Sequence, residues 1–184
     1  MPDPEPTASD AFTPNGSFES LVELAYAELQ QIARGIFRAE RRDHTLQPTA
    51  LVHEAIVRLR DARKPWHGRD DFVRAAVSAM RRVLIDHARA HAALKRGGDR
   101  GRAGITMNGV PGVDLGEHVL ELDEALAKLE GIDERRAQVA GYRLFGGLEN
   151  KQIARLLDVS ESTASDDWTI ARAWLAQELA GASS

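Results

Sequence analysis

Apolar residues return every third or fourth position along most of this chain, and no window alternates with period two. That spacing lines one face of an α-helix and gives a β-strand no consistent face to bury. Phe18, Leu21, Val22, Ala25, Leu29, Ile32, Ala33 and Ile36 form one such row. A second follows Pro48 through Leu51, Val52, Ala55, Ile56 and Leu59. A third begins near Asp70 or Asp71 and runs through Phe72, Ala75, Ala76, Ala79, Met80, Val83, Leu84, His87 and Ala88 toward Lys95. The first half is therefore expected to be an all-α bundle.

The periodicity then breaks. Seven of the twenty residues from Gly97 to Gly116 are glycine, with Pro111 among them. A segment so poor in apolar side chains cannot offset the entropy of ordering, which predicts a flexible linker between two small helical domains. Helical spacing resumes at Val119, Leu122, Ala125, Leu126 and Leu129, and another helix from Asp133 to Phe145 is stopped by Gly146-Gly147. A short helix from Glu149 to Leu157, a tight turn at Asp158-Val159-Ser160 and a longer helix capped by Ser160 and reaching Leu179 complete the chain. With small Ala154 facing the turn and apolar Val159 inside it, this is the helix-turn-helix arrangement, set against an ordinary αα-hairpin. Ser162, Ser165, Asp166 and Thr169 are expected outward, and Ala164, Trp168 and Leu175 inward.

Charge supplies the next constraint. Over 184 residues the net charge is -4, which taken whole argues against a polyanionic partner. Resolved by position, residues 18 to 102 hold 17 basic and 11 acidic side chains, while residues 117 to 184 hold 7 basic and 13 acidic. A basic half is joined to an acidic half. Within the basic half, Arg74, Arg81 and Lys95 share one helical face, and Arg82, Arg89 and Arg96 form the neighbouring row. Cations in such rows suit phosphate neutralisation, against the alternative of a solvated basic face.

Other chemistry is poorly supported. The absence of cysteine excludes a disulfide framework, a thiolate zinc site and a cysteine nucleophile, and suits a reducing cytoplasm. Residues 1 to 17 are acidic and Pro-rich, as expected of a disordered tail and not of a signal peptide. No apolar run approaches the roughly 20 residues of a membrane span. His53-Glu54 would need a histidine at position 57 to resemble a zinc protease, and Val57 stands there. His87 and His91, beside Asp86, lack a third ligand, and His87 is expected on the apolar face. No catalytic, cofactor-binding or metal-binding residue is expected, and no enzyme.

Two stretches together resemble a known family. His44 to Leu59, followed by Phe72 to Gly98 with its core Met80-Arg81-Arg82-Val83-Leu84-Ile85-Asp86-His87-Ala88-Arg89, is similar to the sigma-2 domain of extracytoplasmic-function (ECF) sigma factors. Leu148 to Thr163 and Asp167-Trp168 through Leu175 are similar to their sigma-4 domain. The resemblance implies sigma-2 over residues 18–96, a linker over 97–116 and sigma-4 over 117–180. It implies an initiation subunit that binds the RNA polymerase core enzyme and promoter DNA and catalyses nothing itself. The resemblance places Gln47, Thr49, Leu51, Val52, Glu54 and Arg58 toward the polymerase, and Arg74, Arg81, Arg82, Arg89, Lys95 and Arg96 toward the -10 element. Lys151, Arg155, Ser162, Thr163, Ser165, Asp166, Thr169 and Arg172 are placed toward the -35 element.

The chain departs from the family pattern twice. Family members usually carry Lys or Arg just before the Asp-Trp pair, where this chain has Ser165 and Asp166. A carboxylate there repels phosphate and helps only by accepting from a cytosine amino group. Ahead of Leu51-Val52-His53-Glu54, many members have an Asp-Ala-Glu-Asp cluster, and this chain has Gln47-Pro48-Thr49-Ala50. A phosphate on Thr49 would restore negative charge beside the positive end of a helix dipole, which resembles a subgroup of these sigma factors controlled by Ser/Thr kinases instead of membrane anti-sigma factors. Thr45 is a second candidate. The competing reading makes Thr49 an N-cap and Pro48 a helix-start residue. Expected partners are core polymerase, promoter DNA, a Ser/Thr kinase and an anti-sigma factor. A helix-turn-helix regulator, or a sigma-like adaptor that does not open promoters, is the alternative.

Overall fold

The computed structural model describes residues 17–37, 46–62, 64–95 and 115–182. The expected tail (except Ser17), Thr45, Arg96 and the Gly-rich segment up to Asp114 lie outside the described residues. Seven helices make up the described fold: α1 (Phe18–Ile36), α2 (Pro48–Asp61), α3 (Arg69–Lys95), α4 (Leu115–Ile132), α5 (Glu134–Gly146), α6 (Asn150–Leu157) and α7 (Glu161–Ala182). Among the described residues there is no strand.

Local chemistry explains where the helices start and stop. Ser17 caps α1 by accepting from the Ser20 N–H at 3.2 Å, and Asp133 caps α5 by accepting from the Arg136 N–H at 3.0 Å. α2 opens on Pro48, whose missing N–H costs nothing in the first turn. Gly147 ends α5 in the left-handed conformation at φ 56°, which glycine adopts without strain. α4 begins at Leu115, inside the segment expected as linker.

The predicted apolar rows turn inward, although Phe18 and Val22 of α1 and Ala75 and Ala88 of α3 are only half-buried. Leu21, Ala25, Leu29, Ile32, Ala33 and Ile36 of α1 and Leu51, Val52, Ala55, Ile56 and Leu59 of α2 all face the core. The two halves do not stand apart. One continuous apolar cluster runs from Leu21 to Leu179, and α3 is the element they share: it packs against α1 and α2 and also against α4, α5 and α6. Close approach is possible because small residues meet there. A β-carbon added at Gly146 would stand 3.2 Å from Val77 Cγ1, and one added at Gly147 would stand 3.5 Å from Gly35 Cα.

Candidate nucleic-acid and polymerase surfaces

α6 and α7 form the helix-turn-helix. The turn closes with the Val159 N–H donating to the Ala154 carbonyl at 3.0 Å and Asp158 in the left-handed region at φ 54°. Short polar side chains such as Asp tolerate that conformation best after glycine and asparagine. Ser160 accepts from the Thr163 N–H at 3.0 Å and so caps α7. Ala164, Trp168, Ala171 and Leu175 are buried, and Ser162, Asp166, Thr169 and Arg172 face solvent. Ser165 and Thr163 are half-buried; the Ser165 carbonyl accepts from the Thr169 hydroxyl at 3.0 Å. These outward candidates on α7 thus comprise one cation, one carboxylate and two hydroxyls.

The inward face of α7 carries a feature that periodicity did not predict. Asp167 is 3% exposed, and Arg135 of α5 donates to it at 2.6 and 3.3 Å, with the Arg136 Nε at 3.5 Å. A buried carboxylate needs such partners. Its hydrogen bond and charge push Arg135 above the ordinary guanidinium value. The signal was present: Asp167 lies on the same helical row as Ala164, three residues before it, and Ala171, four residues after it. Arg143 adds a second brace, donating to the Leu148 carbonyl at 3.0 Å and lying 5.8 Å from the Trp168 ring centre.

The basic helix α3 divides into two rows. Arg82 and Arg89 are exposed and have no ion pair among the described residues. Arg74 and Arg81 are half-buried and point at the other half of the protein. Arg74 donates to the Leu156 carbonyl of α6 at 2.8 Å. Arg81 donates through Nε to Asp123 of α4 at 2.7 Å and covers the Phe145 ring of α5 at 5.4 Å. Lys95 ends α3, and its side chain is not described.

A helical bundle with a basic helix, followed by a braced helix-turn-helix, is the geometry on which the comparisons with known proteins bear. The ECF sigma factor family matches residues 15–181 of the chain. The chain belongs to the ECF sigma factor family. Neither a curated protein nor a solved structure gives a significant match. Members of this family are RNA polymerase sigma factors that bind the core enzyme and promoter DNA. In this ECF sigma factor, no described helix is long and apolar enough to cross a membrane.

The polymerase-facing candidates on α2 are not equally accessible. Leu51 and Val52 are fully covered. They are core residues here, because the α2 row that includes Ala55, Ile56 and Leu59 turns them toward α1 and α3. Gln47 and Thr49 are exposed, while Glu54 and Arg58 are half-buried and reach α3 through His87 at 3.4 Å and Asp86 at 2.8 Å. Gln47, not Thr49, occupies the N-cap position. Thr49 therefore does not cap the helix, which removes that explanation for it. The first turn of α2 contains no acid, and the Gln47 side chain makes no capping bond.

One further expectation changes. His87 is exposed and faces Glu54, since the α3 row that enters the core runs through Val83 and Leu84. His53 stacks on Tyr26 at 6.1 Å, with the Tyr26 hydroxyl 3.1 Å from its Nε2. Among the described residues no three His, Cys, Asp or Glu side chains gather as a metal site would require.

Within the first half, Asp71 accepts from the His67 N–H at 3.1 Å and from Arg74 at 3.4 Å. Burial works to raise its pKa, but the His67 N–H and the Arg74 guanidinium outweigh burial and hold the carboxyl below its ordinary value.

Proposed function

We propose that this sigma factor engages the -10 region through α3, the -35 element through α7, and core polymerase through the start of α2, with core binding switched on by phosphorylation of Thr49. The observation that carries the switch is the exposed Thr49 side chain in a first helical turn that contains no carboxylate. A phosphate there adds about -1.5 to -2 charges where the unpaired N–H groups of α2 favour an anion. It supplies the negative charge that the Asp-Ala-Glu-Asp cluster supplies in other members, and charge pairs of that kind set association rate as well as affinity.

On the DNA side, Arg82 and Arg89 are the cations of α3 that are open to a phosphate, with Arg74, Arg81, Lys95 and Arg96 as the remaining candidates. On α6 and α7, Lys151 and Arg172 are open to the backbone, while Ser162, Thr163, Ser165, Asp166 and Thr169 line the base-reading face and Arg155 flanks it. Asp166 among them disfavours phosphate contact, which is the observation that favours a second reading: a sigma-like adaptor that binds polymerase without opening promoters.

A core-binding assay tests the switch, comparing unphosphorylated protein, kinase-treated protein, Thr49→Ala and Thr49→Glu. Tight binding by the unphosphorylated chain, with Thr49→Ala behaving like wild type in cells, ends the switch hypothesis. Run-off transcription separates the two readings, because only a sigma factor gives promoter-dependent initiation.

A further inference from the structure

We infer that Arg143 of α5 is a positioning residue for -35 recognition, one that fixes the orientation of α7 without touching DNA itself. This rests on the reading of α7 as the -35 helix. Arg143 donates through Nη1 to the Leu148 carbonyl at 3.0 Å and to the Asn150 side-chain oxygen at 3.4 Å, and its guanidinium lies 5.8 Å from the Trp168 ring centre. Asn150 opens α6, and Trp168 lies within α7. A basic side chain in the last turn of a helix commonly bonds the carbonyls exposed there, and the Leu148 contact does that. Capping does not account for the reach to Asn150 and Trp168, by which one side chain ties both helices of the helix-turn-helix to α5.

A second anchor stands on the same helix. Arg135, roughly 12 Å from Arg143 along the α5 axis, donates to Asp167 at 2.6 and 3.3 Å. Two anchors on α5 therefore converge on neighbouring residues of α7. Neighbours on a helix point about 100° apart, so holding both blocks rotation of α7 about its own axis. Ser165, Asp166 and Thr169 stand on the same turns and move with them. Rotation is what their chemistry tolerates least: short polar side chains read a base edge only through directed hydrogen bonds, and such a site needs its groups held within roughly 0.5 Å and 10–20°. Arg172 is the one cation among the outward candidates of α7, so phosphate attraction, which is indifferent to small rotations, supplies little there. Loosening Arg143 therefore lowers discrimination between -35 sequences and leaves general affinity for DNA nearly unchanged.

The test uses holoenzyme assembled from the full chain and core polymerase, and compares wild type with Arg143→Met and Arg143→Lys. Wild type first selects its preferred -35 sequence from duplexes randomised in that region. The affinity of each protein is then measured for the selected duplex and for one scrambled at -35. The expected result is a selected-to-scrambled ratio about tenfold lower for Arg143→Met, with the affinity for the scrambled duplex and its salt slope unchanged. Arg143→Lys keeps a cation beside Trp168 but loses the planar, pre-set geometry of the guanidinium, so its ratio should fall by about threefold. A residue that served stability alone gives a different result, because a smaller folded fraction lowers both affinities by the same factor and leaves the ratio where it was. Equal loss on both duplexes, or an unchanged ratio in variants with wild-type circular dichroism, overturns the positioning role. Should Arg143→Met fail to fold, the Lys variant decides the matter by the same ratio. If wild type selects no sequence at -35, the reading of α7 itself fails, and the role of Arg143 fails with it.

Discussion

The Arg81 guanidinium is hydrogen-bonded to Asp123 at 2.7 Å, 42 residues further along the chain, and it faces the Phe145 ring at the same time. A single side chain thus joins α3, α4 and α5 by charge and by ring contact. Such a bond makes the basic and acidic halves one packed body, and it determines which of the α3 cations remain open to solvent.

Asp167 should prove essential to the helix-turn-helix without touching DNA. Asp167→Ala removes the buried acceptor that Arg135 and Arg136 share and leaves a small void beneath them, so the thermal midpoint should fall by roughly 5 °C or more. Calorimetry on the full chain checks this, and a midpoint within a degree of wild type would contradict the brace.

Leu51 and Thr49, two residues apart, should respond in opposite ways. Leu51 is fully buried, so Leu51→Ala should cost about 3 kcal/mol in urea denaturation. Thr49 is exposed, and Thr49→Ala should stay within about 0.5 kcal/mol. Any loss of core binding by Leu51→Ala is then to be read against its stability.

Gly147 should resist substitution because of its backbone. At φ 56° a side chain is strained, although 3.5 Å from Gly35 Cα leaves room for a methyl group. Gly147→Ala should cost about 1 kcal/mol, again read from denaturant midpoints.

Asp71 predicts an acid-side pH dependence. Its folded carboxyl lies below the ordinary 3.8. Above that value it is ionised in both states and its contribution is fully present; as pH falls through the folded value the carboxylate protonates and the contribution is lost. Wild type should therefore exceed Asp71→Ala in stability at neutral pH, and the difference should shrink as pH drops below 3.8. A difference independent of pH would rule out the ionic role.

Arg82→Ala and Arg89→Ala should each reduce the slope of log affinity against log salt by about 1 for promoter DNA, with little change between sequences. Filter binding across a salt series checks it. A slope unchanged by both substitutions would remove this row from the DNA interface.

Much of this protein was legible in its sequence because helices are local. The spacing of Leu21 to Ile36 and of Leu51 to Leu59 depends on 3.6 residues per turn, and Ser17, Pro48, Asp133, Gly147 and Ser160 mark helix ends by their own chemistry. The inward row of Ala164, Trp168 and Leu175 follows from the same geometry, as does the outward placement of Ser162, Asp166 and Thr169. Reading Asp167 as one half of an Asp-Trp motif concealed its burial, since a carboxylate can enter a core only when a distant partner is there to meet it.

Sequence alone thus determined the helices, their apolar faces, the helix-turn-helix and the opposed charge of the two halves. Tertiary structure alone decided which charges are occupied: Arg74 by Leu156, Arg81 by Asp123, Arg155 by Asp70 and Glu28, and Asp167 by Arg135. It also decided that Leu51 and Val52 belong to the core and that Thr49 stands free of the capping role. The reason is physical. Helical periodicity is set within a few residues, whereas an ion pair or a buried contact is set by which helices meet, and that depends on how the whole apolar surface is shared out.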